Sequence, residues 1–208
     1  MDKILLSVDP DVFNCVPKSI AKNKYNIPDN TKVIFFGATY LRERRKGMRY
    51  LTEALKILKQ SPAILNEKIL LLIAGNDFEL IKDEIPFEYK YVGLLANNEQ
   101  LAEAFQVSDI YVCPSIEDSG PMMINQALMC GIPTVAFEMG VALDIVITGV
   151  TGYRAKLMNS IDLAKGIESI LTLEPAVYET YSNNCRELAL SSFTPEVQID
   201  QFEKLFKQ

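Results

Sequence analysis

The first candidate for chemistry is a cluster of basic residues in an otherwise acidic chain. The 208 residues carry a formal net charge of −6. Five basic side chains nevertheless fall within eight positions, after an apolar run that ends at Gly37: Arg42, Arg44, Arg45, Lys46 and Arg49. A helix that begins here would add the positive end of its dipole. By position alone, a phosphate-binding site and a solvated charged loop explain the cluster equally well.

A second candidate is the segment 113–121, which joins an apolar run to an amphipathic stretch. It holds two adjacent acids and three residues that suit the start of a helix: Glu117 and Asp118, then Ser119, Gly120 and Pro121. We expect Gly120 or Ser119 to cap this helix and Pro121 to lie in its first turn. Its free amides could face an anion, and the acids could hold the hydroxyls of a sugar. Taken alone, a capped helix whose acids favour the helix dipole is the stronger interpretation.

The third candidate is the segment 137–144, where Gly140 would allow the backbone to approach a diphosphate closely. An ordinary strand-to-helix turn explains it as well. The first turn carries no dinucleotide fingerprint and the chain has no Walker sequence, which argues against an oxidoreductase or an NTPase. Because the chain has no histidine, any chemistry must use carboxylates, Lys, Arg, backbone amides or the substrate itself.

The elements around these segments alternate between two periodicities. Continuous apolar runs predict strands that are buried on both faces, at 33–36, 69–74, 89–92, 110–113 and 134–137. Apolar residues at helical spacing predict helices at 46–59, 98–107, 121–130, 161–171 and 195–206, the last two capped by Ser160 and Thr194. This alternation predicts an α/β fold, a Rossmann-like doubly wound parallel sheet with C-terminal helices. Ligands of such sheets bind at the carboxyl ends of the strands, where the three candidate segments begin.

Composition and charge exclude several classes of protein. The acidic balance argues against a nucleic-acid partner. The longest apolar runs have the length of strands, so no membrane span is predicted. The N-terminus is too short and too acidic for a signal peptide. The four cysteines form no CxxC pair, and free thiols in a reducing compartment, the cytoplasm, are the simplest interpretation.

Several motifs in one order indicate a family. They are the segment 7–13, Phe36-Gly37 followed by Lys46-Gly47, then 73–75, Val92-Gly93-Leu94, 108–115, 127–135 and 149–153. Together they resemble the C-terminal, donor-binding lobe of retaining glycosyltransferase family 4 (group 1), whose enzymes have the two-lobed GT-B architecture. The resemblance covers nearly the whole chain, although each motif alone is weak.

The resemblance implies a nucleotide-diphosphate-sugar site. Asp118, with Glu117, would orient the donor sugar, and Lys46 with a neighbouring Arg would stabilise the leaving diphosphate. Gln126 would hold the ribose. The nucleotide would be surrounded by Arg42, Arg45, Gly37, Val92, Gly93, Ser119, Gly120, Pro121, Gln126 and Gly140. No metal and no cofactor are expected beside the UDP-sugar or GDP-sugar donor.

Four positions depart from the family pattern. Asp118 and Gln126 stand where the family has two glutamates separated by seven residues. Ala38 replaces a basic residue, and Val141 replaces the second glycine of a Gly-Gly pair. A carboxylate forms stronger, charge-assisted hydrogen bonds than an amide, so weaker nucleotide binding is expected. A non-catalytic sugar-nucleotide-binding module therefore stays open beside a transferase. A sugar-nucleotide epimerase also stays open, because it shares the two-lobed architecture.

The resemblance also implies a division of the chain. Residues 1–30 would be an inter-lobe connecting segment, 31–190 the nucleotide-sugar-binding domain, and 191–208 a C-terminal helix. The expected partners are the nucleotide sugar and an N-terminal acceptor-binding lobe of the same parent protein, acting on a sugar or lipid-linked acceptor. Peripheral association of the parent protein with the inner face of a membrane is compatible with this assignment.

Overall fold

The core of the protein is a parallel β-sheet. The computed structural model describes residues 4–118 and 120–207. In this part of the chain six strands lie in the order β3-β2-β1-β4-β5-β6, and each neighbouring pair is parallel. The strands are β1 (Thr31–Tyr40), β2 (Lys68–Asn76), β3 (Glu88–Tyr91), β4 (Ile110–Cys113), β5 (Thr134–Phe137) and β6 (Gly152–Ala155). The chain changes direction across the sheet between β1 and β4, which makes that junction the expected ligand position.

Eight α-helices surround the sheet in the described part of the chain. They are α1 (Lys18–Lys24), α2 (Met48–Leu58), α3 (Asn98–Val107), α4 (Met122–Met129), α5 (Ala142–Ile145), α6 (Ser160–Leu171), α7 (Pro175–Ser192) and α8 (Pro195–Phe206). α3, α4 and α7 contribute to one hydrophobic cluster, whereas α2 and α6 contribute to a second. The predicted doubly wound α/β fold is confirmed.

Strand β1 shows why its apolar run is continuous. Val33 and Phe35 belong to the first cluster, and Ile34 and Phe36 belong to the second. Successive side chains of a strand point to opposite faces, so a strand covered by helices on both sides needs an apolar residue at every position. These four residues are at most 2% exposed.

The structure corrects several predicted boundaries. β1 continues to Tyr40, so Gly37 lies inside the strand, next to an irregularity in its pairing with β2. β6 was not predicted as a strand. It has four residues, of which Arg154 is exposed and Tyr153 is half-buried. α4 begins at Met122, with Pro121 as its N-cap rather than in its first turn. The cap of α6 is Asn159, whose side chain accepts a hydrogen bond from Asp162 N–H, and not Ser160.

The segment before β1 packs against the C-terminal helices. Phe13 is buried, and the guanidinium of Arg186 in α7 donates to the Phe13 carbonyl at 2.6 Å. Val8 N–H donates to the Phe193 carbonyl at 2.8 Å. The boundaries at residues 30 and 190 stay predictions. Among the described helices, none has both the length and the apolar character that crossing a bilayer requires.

Candidate functional site

The loops that follow β1 and β4 are in close backbone contact at Gly47. This glycine has a φ of 72°, and a Cβ built on it would lie 1.8 Å from the carbonyl oxygen of Pro114. Any side chain would therefore separate the two loops. Ile116 N–H also donates to the Arg45 carbonyl at 2.8 Å. The basic cluster is thus held directly against the acidic segment.

The loop after β5 is joined to the same place by Gly140. Its φ is 52°, and a Cβ there would lie 2.7 Å from the carbonyl oxygen of Asp118. The absence of a side chain at Gly140 permits this close approach. All three candidate segments consequently meet at the carboxyl edge of the sheet, around Asp118.

Asp118 is the centre of the charged groups at this edge. Its Oδ2 lies 2.7 Å from Lys46 Nζ and 3.7 Å from Arg45 Nη1. Its Oδ1 accepts a hydrogen bond from Gly120 N–H at 3.2 Å. The amide that was expected to be free for a ligand is therefore engaged by Asp118 in this structure. Arg45 is also bonded to Glu43, which leaves its guanidinium shared between two acids.

Burial and charge act in opposite directions on Asp118. Partial burial raises the pKa of its carboxyl, but hydrogen bonds from Lys46 and Gly120 and the charges of Lys46 and Arg45 outweigh this, so the pKa is lowered overall. A carboxylate so surrounded remains ionised at neutral pH.

These residues line a cavity of about 250 Å³, here called the central cavity. Five of the predicted site residues are on its wall: Gly37, Lys46, Asp118, Gly120 and Pro121. Tyr111 and Cys113 also line it. The cavity lies at the junction of β1 and β4, and it combines an ammonium, a carboxylate and backbone amides.

Two further cavities adjoin the central one. The first, of about 160 Å³, shares Gly37 and Met123 with it and extends towards β2, where Gly75, Leu94 and Leu95 line it. The second, of about 370 Å³, shares Gly120 with it and extends towards the loop after β5. We call them the β2-side and β5-side cavities. Together the three form a row along the carboxyl edge of the sheet.

The β5-side cavity is lined by Gly140, Val141 and Asp144, all from the third candidate segment. Asn125 and the segment 4–6 also line it, and these were not predicted. Asn125 is almost fully buried and its amide donates to the Leu6 carbonyl at 2.9 Å, which fixes the connecting segment beside the site. In the sequence, only the apolar run 4–8 indicated that this segment is ordered, and an isolated strand would explain that run equally well.

The remaining predicted residues lie farther out. Arg42 and Glu117 are exposed, and neither lines these three cavities. Gly93 accepts a hydrogen bond from Gly75 N–H through its carbonyl at 2.8 Å, so it and Val92 follow β3 next to the β2-side cavity. Gln126 is 9% exposed in α4, one turn beyond Met122 and Met123. Ser119 lies outside the described residues.

Thr39 and Ser115 were missed although both line the central cavity. Ser115 could have been predicted, because Pro114-Ser115 ends the family motif 108–115. Thr39 was expected in a turn, but the structure places it in β1. Among residues 4–118 and 120–207, no group of three or more Cys, Asp or Glu side chains is arranged to hold a metal ion.

Comparison with known proteins identifies the family. The model of the family "Glycosyl transferases group 1" matches residues 17–188, which is most of the chain. The chain belongs to this family. The resemblance of the sequence motifs to the C-terminal lobe of a group 1 glycosyltransferase is therefore confirmed.

The curated relatives are longer than this chain. An uncharacterized 41.2 kDa protein in the cps region of Klebsiella pneumoniae is 24% identical over 94% of this chain and 50% of its own length. N-acetyl-alpha-D-glucosaminyl L-malate synthase of Bacillus anthracis is 20% identical over 89% of this chain and 48% of its own length. The chain thus spans about half the length of the curated relatives it matches.

Solved structures of low sequence identity share this fold. Sucrose-phosphate synthase from Thermosynechococcus elongatus superposes with a TM-score of 0.80 at 23% identity, over 98% of this chain and 51% of that one. Anabaena HepE, crystallised in complex with UDP and glucose, superposes with a TM-score of 0.75 at 18% identity, over 97% of this chain and 55% of that one.

Proposed function

We propose that this group 1 chain binds a nucleotide-diphosphate sugar and supplies the donor half of a retaining glycosyltransferase site. The observation that carries the proposal is the 2.7 Å pair of Lys46 and Asp118 on the wall of the central cavity. A cation for the diphosphate and a carboxylate for sugar hydroxyls thus lie side by side at the ligand edge of the sheet.

The row of cavities suits the three parts of such a donor. The central cavity, with Lys46 and Gly120, would receive the diphosphate. The β2-side cavity, walled by Leu94 and Leu95, would receive the base near Val92 and Gly93. The sugar would lie towards the β5-side cavity, beside Asp118 and Gly140. Gln126 is assigned to the ribose by its place in the family motif.

The chemical difficulty of the reaction is a leaving diphosphate that gains negative charge. Fixed donors aimed at that charge lower the barrier most effectively. Lys46, Arg45 and backbone amides at the start of α4 are the stabilisers that this chain offers, and we propose that they act without a metal ion. We propose that the sugar is transferred to a sugar or lipid-linked acceptor.

The comparisons support a nucleotide-sugar donor. One structural neighbour was crystallised with UDP and glucose, and one relative is named N-acetyl-alpha-D-glucosaminyl L-malate synthase. The test is calorimetry of the 208-residue chain with UDP, GDP and UDP-sugars in buffer containing EDTA. We expect binding of UDP or GDP that added Mg²⁺ does not strengthen. Strict dependence on Mg²⁺, or no binding of either nucleotide, would contradict the proposal.

A further inference from the structure

The Asp118 carboxylate contacts the same hydrogen-bond donors that we expect to bind a diphosphate. One of its oxygens lies 2.7 Å from Lys46 Nζ and 3.7 Å from Arg45 Nη1, and the other accepts from Gly120 N–H at 3.2 Å. An ammonium, a guanidinium and an amide at the entry to a helix are the donors that typically bind phosphate oxygens. An anion of the protein itself is thus bound where the diphosphate of the donor is expected.

We infer that Asp118 is an internal substitute for the diphosphate, which the donor must displace. This inference rests on the proposed function. A diphosphate in the central cavity would compete for Lys46, Arg45 and the Gly120 amide, and its charge would repel a carboxylate held at the same donors. The displaced carboxylate becomes free to accept hydrogen bonds from the donor sugar. Sugar recognition by Asp118 is therefore coupled to arrival of the diphosphate.

The surrounding backbone allows this exchange without movement of the loop. Gly140 packs closely against the Asp118 carbonyl, and Gly47 packs closely against Pro114 at the start of the segment. The Asp118 side chain has only two rotatable bonds, and its side chain is 13% exposed in the cavity wall. A rotation of the carboxylate away from Lys46 is enough to clear the anion site, and it leaves these contacts of the Asp118 and Pro114 carbonyls in place.

A rival role for Asp118 gives the opposite result. An ammonium has three donors, so Asp118 could instead hold Lys46 in place while Lys46 also binds the phosphate. Loss of the carboxylate would then loosen Lys46 and weaken phosphate binding. If Asp118 competes with the diphosphate, loss of the carboxylate strengthens binding. The sign of the change in affinity therefore distinguishes the two roles.

The experiment compares the chain with its Asp118→Asn variant by calorimetry, using inorganic pyrophosphate and UDP in metal-free buffer. We expect both probes to bind the variant about 2- to 5-fold more tightly, the upper part of the range for one partly exposed charge pair. Asp83→Asn makes the same substitution at an exposed site before β3 and should alter affinity by less than about twofold. In a Lys46→Met background, Asp118→Asn should increase the affinity for both probes much less than it does in the parent chain.

Each result decides one question. Unchanged or weaker binding by Asp118→Asn overturns the substitute role while leaving nucleotide binding intact. No binding of UDP by any form overturns the proposed function and, with it, this inference. Asp118→Ser provides a second variant if Asp118→Asn melts at a much lower temperature than the parent chain, and the same sign is expected of it.

Discussion

Lys46 and Asp118 are separated by 72 positions in sequence, yet their side chains are joined by a 2.7 Å hydrogen bond. The contact exists because β1 and β4 are neighbours in the sheet and because Gly47 brings the first loop against Pro114. Lys46 is 22% exposed, so its charge is partly desolvated before any ligand arrives. A nucleotide that binds here exchanges one anionic partner of Lys46 for another.

Replacement of Lys46 tests the phosphate site directly. We expect Lys46→Ala to weaken UDP binding by about 1.5–3 kcal/mol, since a hydrogen bond to a charged group is lost. Calorimetry with and without EDTA measures this. Lys56→Ala, which removes the same charge at the far end of α2, is the matched control and should bind like the parent chain. Equal affinities for the two variants would exclude Lys46 from the site.

A side chain at Gly140 should disturb the loop that carries Asp118. Gly140→Ala places a Cβ in the left-handed region and 2.7 Å from the Asp118 carbonyl oxygen. We expect a loss of about 1–3 kcal/mol in the free energy of unfolding, from backbone strain and this contact. Gly120→Ala is the control, because no atom lies within 4 Å of its added Cβ. Urea unfolding of both variants measures the difference, and equal stability would contradict the described packing.

The lowered pKa of Asp118 predicts how its contribution to stability varies with pH. A carboxyl group with a lower pKa in the folded state stabilises the protein above its unfolded pKa, and this contribution is lost as pH falls through the folded pKa. We expect the parent chain to have a higher melting temperature than the Asp118→Asn variant at neutral pH. The difference in melting temperature should disappear in acid. Thermal melting of both from pH 7 downward tests this. A difference in melting temperature that increases in acid would mean that the ion pair does not stabilise the protein.

The sequence could predict the fold because most buried strands are continuous apolar runs. Residues 33–36 and 110–113 are apolar at every position, and each strand is covered by helices on both faces. β6 was missed because Gly152 and Arg154 interrupt that pattern in a strand at the sheet edge. Edge strands bury less surface, so their residues are less constrained.

The candidate site could be predicted only in part. The three loops were found because loops at the carboxyl edge of a parallel sheet converge. The contact of Asp118 with Gly120 N–H could not be found, because it depends on side-chain orientation rather than on spacing. Asn125 was missed for a similar reason, since its hydrogen-bond partner Leu6 is 119 positions away.

Gln126 provides a test of the family motif. If its amide is at the ribose, Gln126→Glu should keep or tighten nucleotide binding, and Gln126→Leu should weaken it because a diol is left unpaired. At 9% exposure, the new carboxylate in Gln126→Glu should also lower the melting temperature, since a buried charge is costly. Affinity and melting temperature are therefore measured together. Parent-like affinity in both variants would place residue 126 away from the ribose.

The last prediction is that the 208-residue chain binds the donor but transfers no sugar by itself. It spans about half the length of its curated relatives, and the row of cavities lies along the carboxyl edge of the sheet. We propose that a second, acceptor-binding lobe closes this edge in the active enzyme. Without it, no group aligns an acceptor hydroxyl with the anomeric carbon, and such alignment is worth roughly 7–11 kcal/mol of the barrier.

The measurement is release of UDP or GDP from a panel of nucleotide sugars, with and without sugar acceptors. A two-lobed group 1 transferase with its own substrates is the positive control, and calorimetry shows that the donor is bound under the same conditions. We expect release at the background rate, because a bound donor with no aligned acceptor gains little from the stabilisers around Lys46. Acceptor-dependent transfer by the 208-residue chain would show that one lobe is sufficient.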